Sequence, residues 1–211
     1  MIYPSDVTSA ASKARKVGVL FLKGGEAAIA ELYAKAWGDA ASLRADNPGK
    51  DIDQLSRLIA NRYLLEVTAS GAASGAVAAA PFLGLISTLG SSAADLYLFG
   101  RSTARHILTL AALHDLPLED LQQRRLTVLS SLLSDQDLKD VKSDDSEQLI
   151  DVLNNKIAQR VILKVGARLL PARAGAALPL FAGALAAATL NARIAQNISK
   201  NALKRIKLQA T

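Results

Sequence analysis

The chain has 211 residues, half of them apolar but only 4% aromatic, and a formal net charge of +6 from 25 basic and 19 acidic residues. That length suits one domain able to bury a core without covalent staples, and the absence of cysteine excludes disulfides and thiolate chemistry. A core of mostly Ala and Leu favours close helix–helix packing over sheets, and the basic excess suits an anionic lipid, a nucleic acid or an acidic partner.

The N-terminal segment lacks a basic patch leading into a long apolar run, so no secretory cleavage is expected. Ser5 or Asp6 caps a first helix expected to stop at Gly24-Gly25, with Val17, Leu20 and Phe21 on one side and Lys13 and Lys16 on another. A second helix is expected over 26–43, ended by the turn Asn47-Pro48-Gly49. It carries Tyr33 and Trp37, read as packing residues, with an interfacial membrane anchor as the alternative.

A long helix starts at Asp51, amphipathic through Ile52, Leu55, Leu58, Ile59, Tyr63 and Leu64. From Val67 to Ala94 no charged residue occurs, and Gly71 and Gly75, like Ser70 and Ser74, fall four apart as small faces for another helix. Pro81 divides this stretch; Gly84 follows, and the next helix is expected from about 82 to 114 with bends at Gly90 and Gly100. The two helices, uncharged near their shared turn and charged at their far ends, read as a hairpin. Asp95 with Arg101 or Arg105 reads as a buried ion pair.

After Asp115-Leu116-Pro117, a short helix is expected to open at Pro117, followed by an acidic linker over 134–147. Asp135, Asp137, Asp140 and Asp144 lack the spacing and glycine of an EF-hand loop, so no metal is assigned. The chain resumes at Ser146 or Glu147 with a cationic ridge, Lys156, Arg160, Lys164 and Arg168, beside Ile157, Val161, Val165 and Leu169. A second uncharged stretch, 174–192, contains Pro179 and Gly183. It leads into a basic amphipathic tail whose apolar face is Ile194, Ile198, Ala202 and Ile206, with charge from Arg193, Lys200, Lys204, Arg205 and Lys207.

No phosphate-binding loop or nucleophile elbow occurs, and His106 and His114, eight apart, cannot chelate one metal by themselves. No catalytic residue, cofactor or metal is assigned, and His114 reads as a helix-end dipole feature.

Two segments resemble the EcsC family of bacterial proteins. One begins at SGAASGAVAAAPFLGLISTLGSSAADLYLFGRSTARH and continues through the short Leu-rich helix; the other is LPLFAGALAAATLNARIAQNISKNAL. In the first, Asp95, Arg101 and Arg105 match the family's acidic and basic positions; in the second, Gly183 and Asn191 keep the family spacing. Leu113-His114 replaces the family's tyrosine-glycine, the family's common glutamine near Thr103 is absent, and Pro179 is displaced by one residue. The resemblance implies a helical protein linked to membranes or lipids, encoded beside a transporter in the case that names the family, with no established catalytic residues.

The expectation is therefore an all-α helical bundle built around a long central Gly/Ala-rich hairpin, in one domain. Its segments are 1–50 (N-terminal helices), 51–133 (hairpin and short helix), 134–147 (linker) and 148–211 (amphipathic and apolar helices). The expected function is non-enzymatic membrane association or lipid binding, cytoplasmic and peripheral to the inner face of the membrane. The expected partners are anionic lipid and a transporter or other protein, with Lys156, Arg160, Lys164, Arg168, Lys200, Lys204, Arg205 and Lys207 as lipid contacts. The expected helix-packing positions are Gly71, Gly75, Gly84 and Gly183. The alternatives are a pore-forming protein, soluble until its hairpin inserts, and a soluble interaction module. Nucleic acid is disfavoured because no aromatic residue interleaves the basic tail.

Overall fold

The structure is a computed structural model describing the backbone of residues 22–78, 87–139, 141, 145–169 and 180–210. Side chains are described for 22–68, 97–139, 141, 145–157 and 192–210. Every described element is an α-helix: α1 (22–31), α2 (Tyr33–Ala45), α3 (Ile52–Ala78), α4 (Ser87–Leu113), α5 (Leu121–Ser131), the single turn α6 (Asp135–Leu138), α7 (Ser146–Leu169) and α8 (Leu180–Gln209).

Local chemistry sets the helix ends. Asp51 starts α3 with a reciprocal cap: its carboxylate accepts from the Gln54 amide at 2.7 Å, while Gln54 Oε1 accepts from the Asp51 amide at 3.1 Å. Asp120 caps α5 by accepting from the Gln123 amide, so this helix starts at Leu121 rather than at Pro117. Helix α4 closes in a Schellman turn, in which the Leu116 amide reaches Ala111 O and the Asp115 amide reaches Ala112 O. Asp115 takes the left-handed position at φ 54°, and the Arg44 guanidinium donates to both Leu113 O and the Asp115 carboxylate.

Another boundary differs from expectation. Gly24 and Gly25 do not stop a helix; both lie inside α1, and the break falls at Leu32. A Cβ on Gly24 would sit 2.0 Å from the Tyr97 carbonyl oxygen, so this glycine lets the α1 backbone touch the α4 backbone. Helix α4 runs unbroken through Gly90 and Gly100, as one helix was expected to. The first expected helix before Leu22, the turn at Pro81 with Gly84, and Pro179 lie outside the described residues.

Cross-helix contacts give the directions. Helices α3 and α4 are antiparallel, with Ser56 against His114, Tyr63 against Thr103 and Glu66 against Ser102. Helix α8 is also antiparallel to α3: Lys207 meets Asp53 at one end, and Ala195 packs with Tyr63 and Val67 further along. Helices α4 and α8 therefore run parallel, with His106 beside Ser199. Helix α2 runs with α4, joined by Asp39–Arg105 and Arg44–Asp115.

The main core gathers Ile29, Ala36, Leu55, Ile107, Leu110 and Ile206 from α1, α2, α3, α4 and α8. A second cluster joins Leu129, Leu133, Ile150, Leu153 and Ile157 around α5 and α7, and a third joins Tyr63, Val67 and Ala195. Phe99 packs against all three. The expected apolar faces are largely these. Leu55, Ile59, Tyr63, Ile198, Ala202 and Ile206 are buried, whereas Ile52 is 41% exposed at the start of α3.

Candidate functional site: an uncharged end above a polar layer

The helix directions bring three uncharged segments to the same end of the molecule. The end of α3 after Val67, the start of α4 before Asp95 and the start of α8 before Arg193 all lie beyond the level at which Val67 packs on Ala195. The dozen residues from Val67 to Ala78 extend roughly 18 Å at the helical rise per residue. A bilayer's hydrocarbon core is about 30 Å thick. Among the described residues no helix is long and apolar enough to cross a membrane. Leu65 and Leu98, 70% and 51% exposed, flank the base of this end on α3 and α4.

Beneath it lies a layer of buried polar side chains. Tyr63 stacks on His106 with ring centroids 4.3 Å apart and planes 9° from parallel. The Tyr63 hydroxyl is 2.7 Å from Thr103 Oγ1, which donates to Phe99 O. His106 Nε2 lies 3.1 Å from Ser199 Oγ, so one stack ties α3, α4 and α8 together. Burial pushes the Tyr63 hydroxyl above its ordinary pKa, and burial alone pulls His106 down to about 3. Both are uncharged at neutral pH. His106 Nδ1 is buried with no hydrogen-bond partner, so no carboxylate among the described residues orients this ring for acid–base work.

A cleft of about 50 Å³ opens beside the layer, lined by Asp39, Arg62, Glu66, Ser102, Arg105 and His106 among others. It has room for a few waters. A second cavity under α1 and α5, about 10 Å³, holds one water at most. His114, at the far end of α4, has its pKa lowered by partial burial first and by Lys207 next, and its Nε2 contacts Ser56 Oγ at 3.0 Å. It packs α4 on α3.

The side chains assigned from sequence are distributed as follows. Arg101 pairs with Glu31 at 2.8 Å and Arg105 with Asp39 at 2.7 Å, pairs that tie α4 to α1 and α2, with all four residues partly exposed. The side chain of Asp95 lies outside the described residues, as do those of Arg160, Lys164 and Arg168 and the surroundings of Gly71, Gly75 and Gly183. Lys156 Nζ donates to Asp137 O at 2.8 Å. Lys204 and Arg205 both reach Asp135, at 2.5 and 3.3 Å, and Arg205 also donates to Leu133 O. Asp137 caps α6 by accepting from the Ser134 amide and hydroxyl. Tyr33 and Trp37 meet edge to face at 6.4 Å and pack against the main core; Tyr33 also accepts from the Leu118 amide and lies under the Arg124 guanidinium.

Lys204, Arg205 and Lys207 thus sit at the end opposite the uncharged one, where Lys207 meets Asp53 at the start of α3. Lys200, one turn earlier on α8, is exposed and makes no ion pair with any described residue. The same is true of Arg193 and of two cations with no sequence signal, Lys23 and Arg62. Only the helix register places those two near the base of the uncharged end. No protein-family model, curated protein or solved structure matches the chain.

Proposed function

We propose that this is a non-enzymatic, membrane-associated or lipid-binding helical protein of the EcsC type. In this reading α3 and α4 are the arms of a Gly/Ala-rich hairpin whose uncharged end enters one leaflet of an anionic membrane from the cytoplasmic side. The observation that carries the reading is the convergence of three uncharged helix segments at one end of the molecule, each too short over its described residues to cross a bilayer. Charge distribution supports it: after Asp151 the chain has ten basic residues and no acidic one, against fifteen and nineteen up to and including it. Small side chains make such an end weakly apolar, which suits reversible entry better than permanent insertion.

Floatation with liposomes tests the proposal. The purified protein is expected to float with vesicles containing phosphatidylglycerol, and Leu85→Glu with Leu89→Glu to reduce the floating fraction at least tenfold, because a carboxylate in hydrocarbon costs about 3 kcal/mol. Unchanged floatation of that variant removes the uncharged end from the mechanism. Dye retained while the protein floats marks entry without a pore, and dye release supports the pore-forming alternative.

A further inference from the structure

At the end away from the uncharged segments the cations of the tail are paired, Lys207 with Asp53 and Lys204 and Arg205 with Asp135, as Arg44 is with Asp115, while Lys50 and Arg57 are exposed and form no ion pair with a described residue. Nearer the uncharged segments stand four more exposed cations. Lys23 precedes the glycine that touches Tyr97 of α4; Arg62 and Lys200 lie at one level on α3 and α8; Arg193 is about two turns nearer the uncharged end than Lys200. All four are exposed, and none forms an ion pair with a described residue. Among the described side chains, the one carboxylate at this level without a cationic partner is Glu66, which accepts a hydrogen bond from Ser102. Arg101 and Arg105 here are neutralised by Glu31 and Asp39.

We propose that Lys23, Arg62, Arg193 and Lys200 form a collar that contacts anionic lipid headgroups when the uncharged end enters a membrane, and that Lys204, Arg205 and Lys207 take no part in that contact. The inference rests on the function proposed above and assigns its electrostatic surface. The reasons are pairing and distance. Lys204 and Arg205 are held by Asp135, and Asp53, the partner of Lys207, lies roughly 21 Å along α3 from Val67, more than twice the screening length of about 8 Å at physiological salt. Lys and Arg stems span several ångströms, so cations a turn or two below the apolar boundary still extend their charged heads to phosphate. Phosphate-bearing headgroups match these donors, and the net positive collar selects an anionic leaflet.

The test measures partitioning onto vesicles of phosphatidylcholine alone and of phosphatidylcholine with phosphatidylglycerol, with circular dichroism to confirm the fold of each variant. Lys23→Gln, Arg62→Gln, Arg193→Gln and Lys200→Gln, made together, are expected to reduce partitioning onto the anionic vesicles by about five-fold per charge removed and to leave the phosphatidylcholine value unchanged. Lys204→Gln, Arg205→Gln and Lys207→Gln together are expected to change partitioning less than about two-fold, because Asp135 and Asp53 already pair with them and screening further isolates Lys207. Glu66→Gln, which removes the opposing charge, is expected to raise anionic partitioning by up to about five-fold. Wild-type partitioning retained by the collar variant, or lost in the tail variant with its fold intact, overturns the collar while leaving membrane association standing. No binding of the wild-type protein to either vesicle overturns both.

Discussion

His106 shows how one side chain sets a pH limit. Its pKa is about 3 in the folded protein against an ordinary value near 6.5, because burial among Tyr63, Ser199 and the helix backbones disfavours the imidazolium. A depressed histidine contributes stability that is fully present above pH 6.5 and is lost as pH falls towards 3, since the unfolded chain takes up the proton first. Between pH 7 and pH 5 the wild-type protein is expected to lose about 2 kcal/mol from this group. His114 is shifted the same way and adds to the loss. Urea unfolding at the two pH values checks this, with His106→Gln expected to remove most of the slope. At lower pH, Asp53 and Asp135, whose carboxyls are held below the usual range chiefly by hydrogen bonds from Lys207 and Lys204, extend the loss.

The paired glycines give a sharper contrast at the same scale. A Cβ on Gly24 meets the carbonyl oxygen and carbon of Tyr97, which are backbone atoms and cannot rotate away, whereas one on Gly25 comes no closer than 3.8 Å to Gly100 O. Gly24→Ala is expected to destabilise by about 3 kcal/mol as α1 is pushed off α4. Gly25→Ala is expected to be neutral or to stabilise by up to about 1 kcal/mol through helix propensity. Denaturant midpoints of the two variants separate a packing role from the stop signal that Gly-Gly suggests in the sequence.

Among the elements, α3 carries the most organisation, packing on both α4 and α8 along its described length. Its first turn is exposed, so its start depends on capping rather than burial. Asp51→Ala removes a carboxylate that accepts from Gln54 and is expected to cost about 1 kcal/mol, measured by thermal or urea unfolding. The exposed pairs of Asp135 with Lys204 and Arg205 contribute less, since such pairs are largely screened. They fix where α6 lies on α8.

Helix identity was legible in the sequence wherever apolar residues repeat at helical spacing, as along Leu55, Ile59 and Tyr63 or Ile198, Ala202 and Ile206. Breaks were less so. Glycine marks both helix ends and close helix approaches, and only the position of α4 tells which role Gly24 has. The partners of Arg101 and Arg105 were hidden for a related reason: Glu31 and Asp39 lie some seventy positions away, and sequence proximity favoured Asp95 instead. Lys23 and Arg62 gave no local signal, because their nearness to Arg193 and Lys200, which the basic tail did mark, exists only once α1, α3 and α8 are registered against one another.

Across the whole molecule, the long axis has a direction, with three uncharged helix segments at one end and the paired cations of the tail at the other. Composition reports only the sum of +6. If the proposed collar holds the protein on a membrane, added salt is expected to weaken that attachment, while acid loosens the helices through His106. Attachment and stability are expected to be separable, with salt titration moving vesicle partitioning far more than it moves the unfolding midpoint.

Phe99 touches the main core, the α5–α7 cluster and the Tyr63–Val67–Ala195 cluster at once. A single ring shared among three apolar groups acts as a mechanical keystone: none of them can come apart without disturbing the contacts that hold the other two. The described helices should accordingly melt in one step, and the unit that loosens in acid is the whole assembly rather than its uncharged end alone.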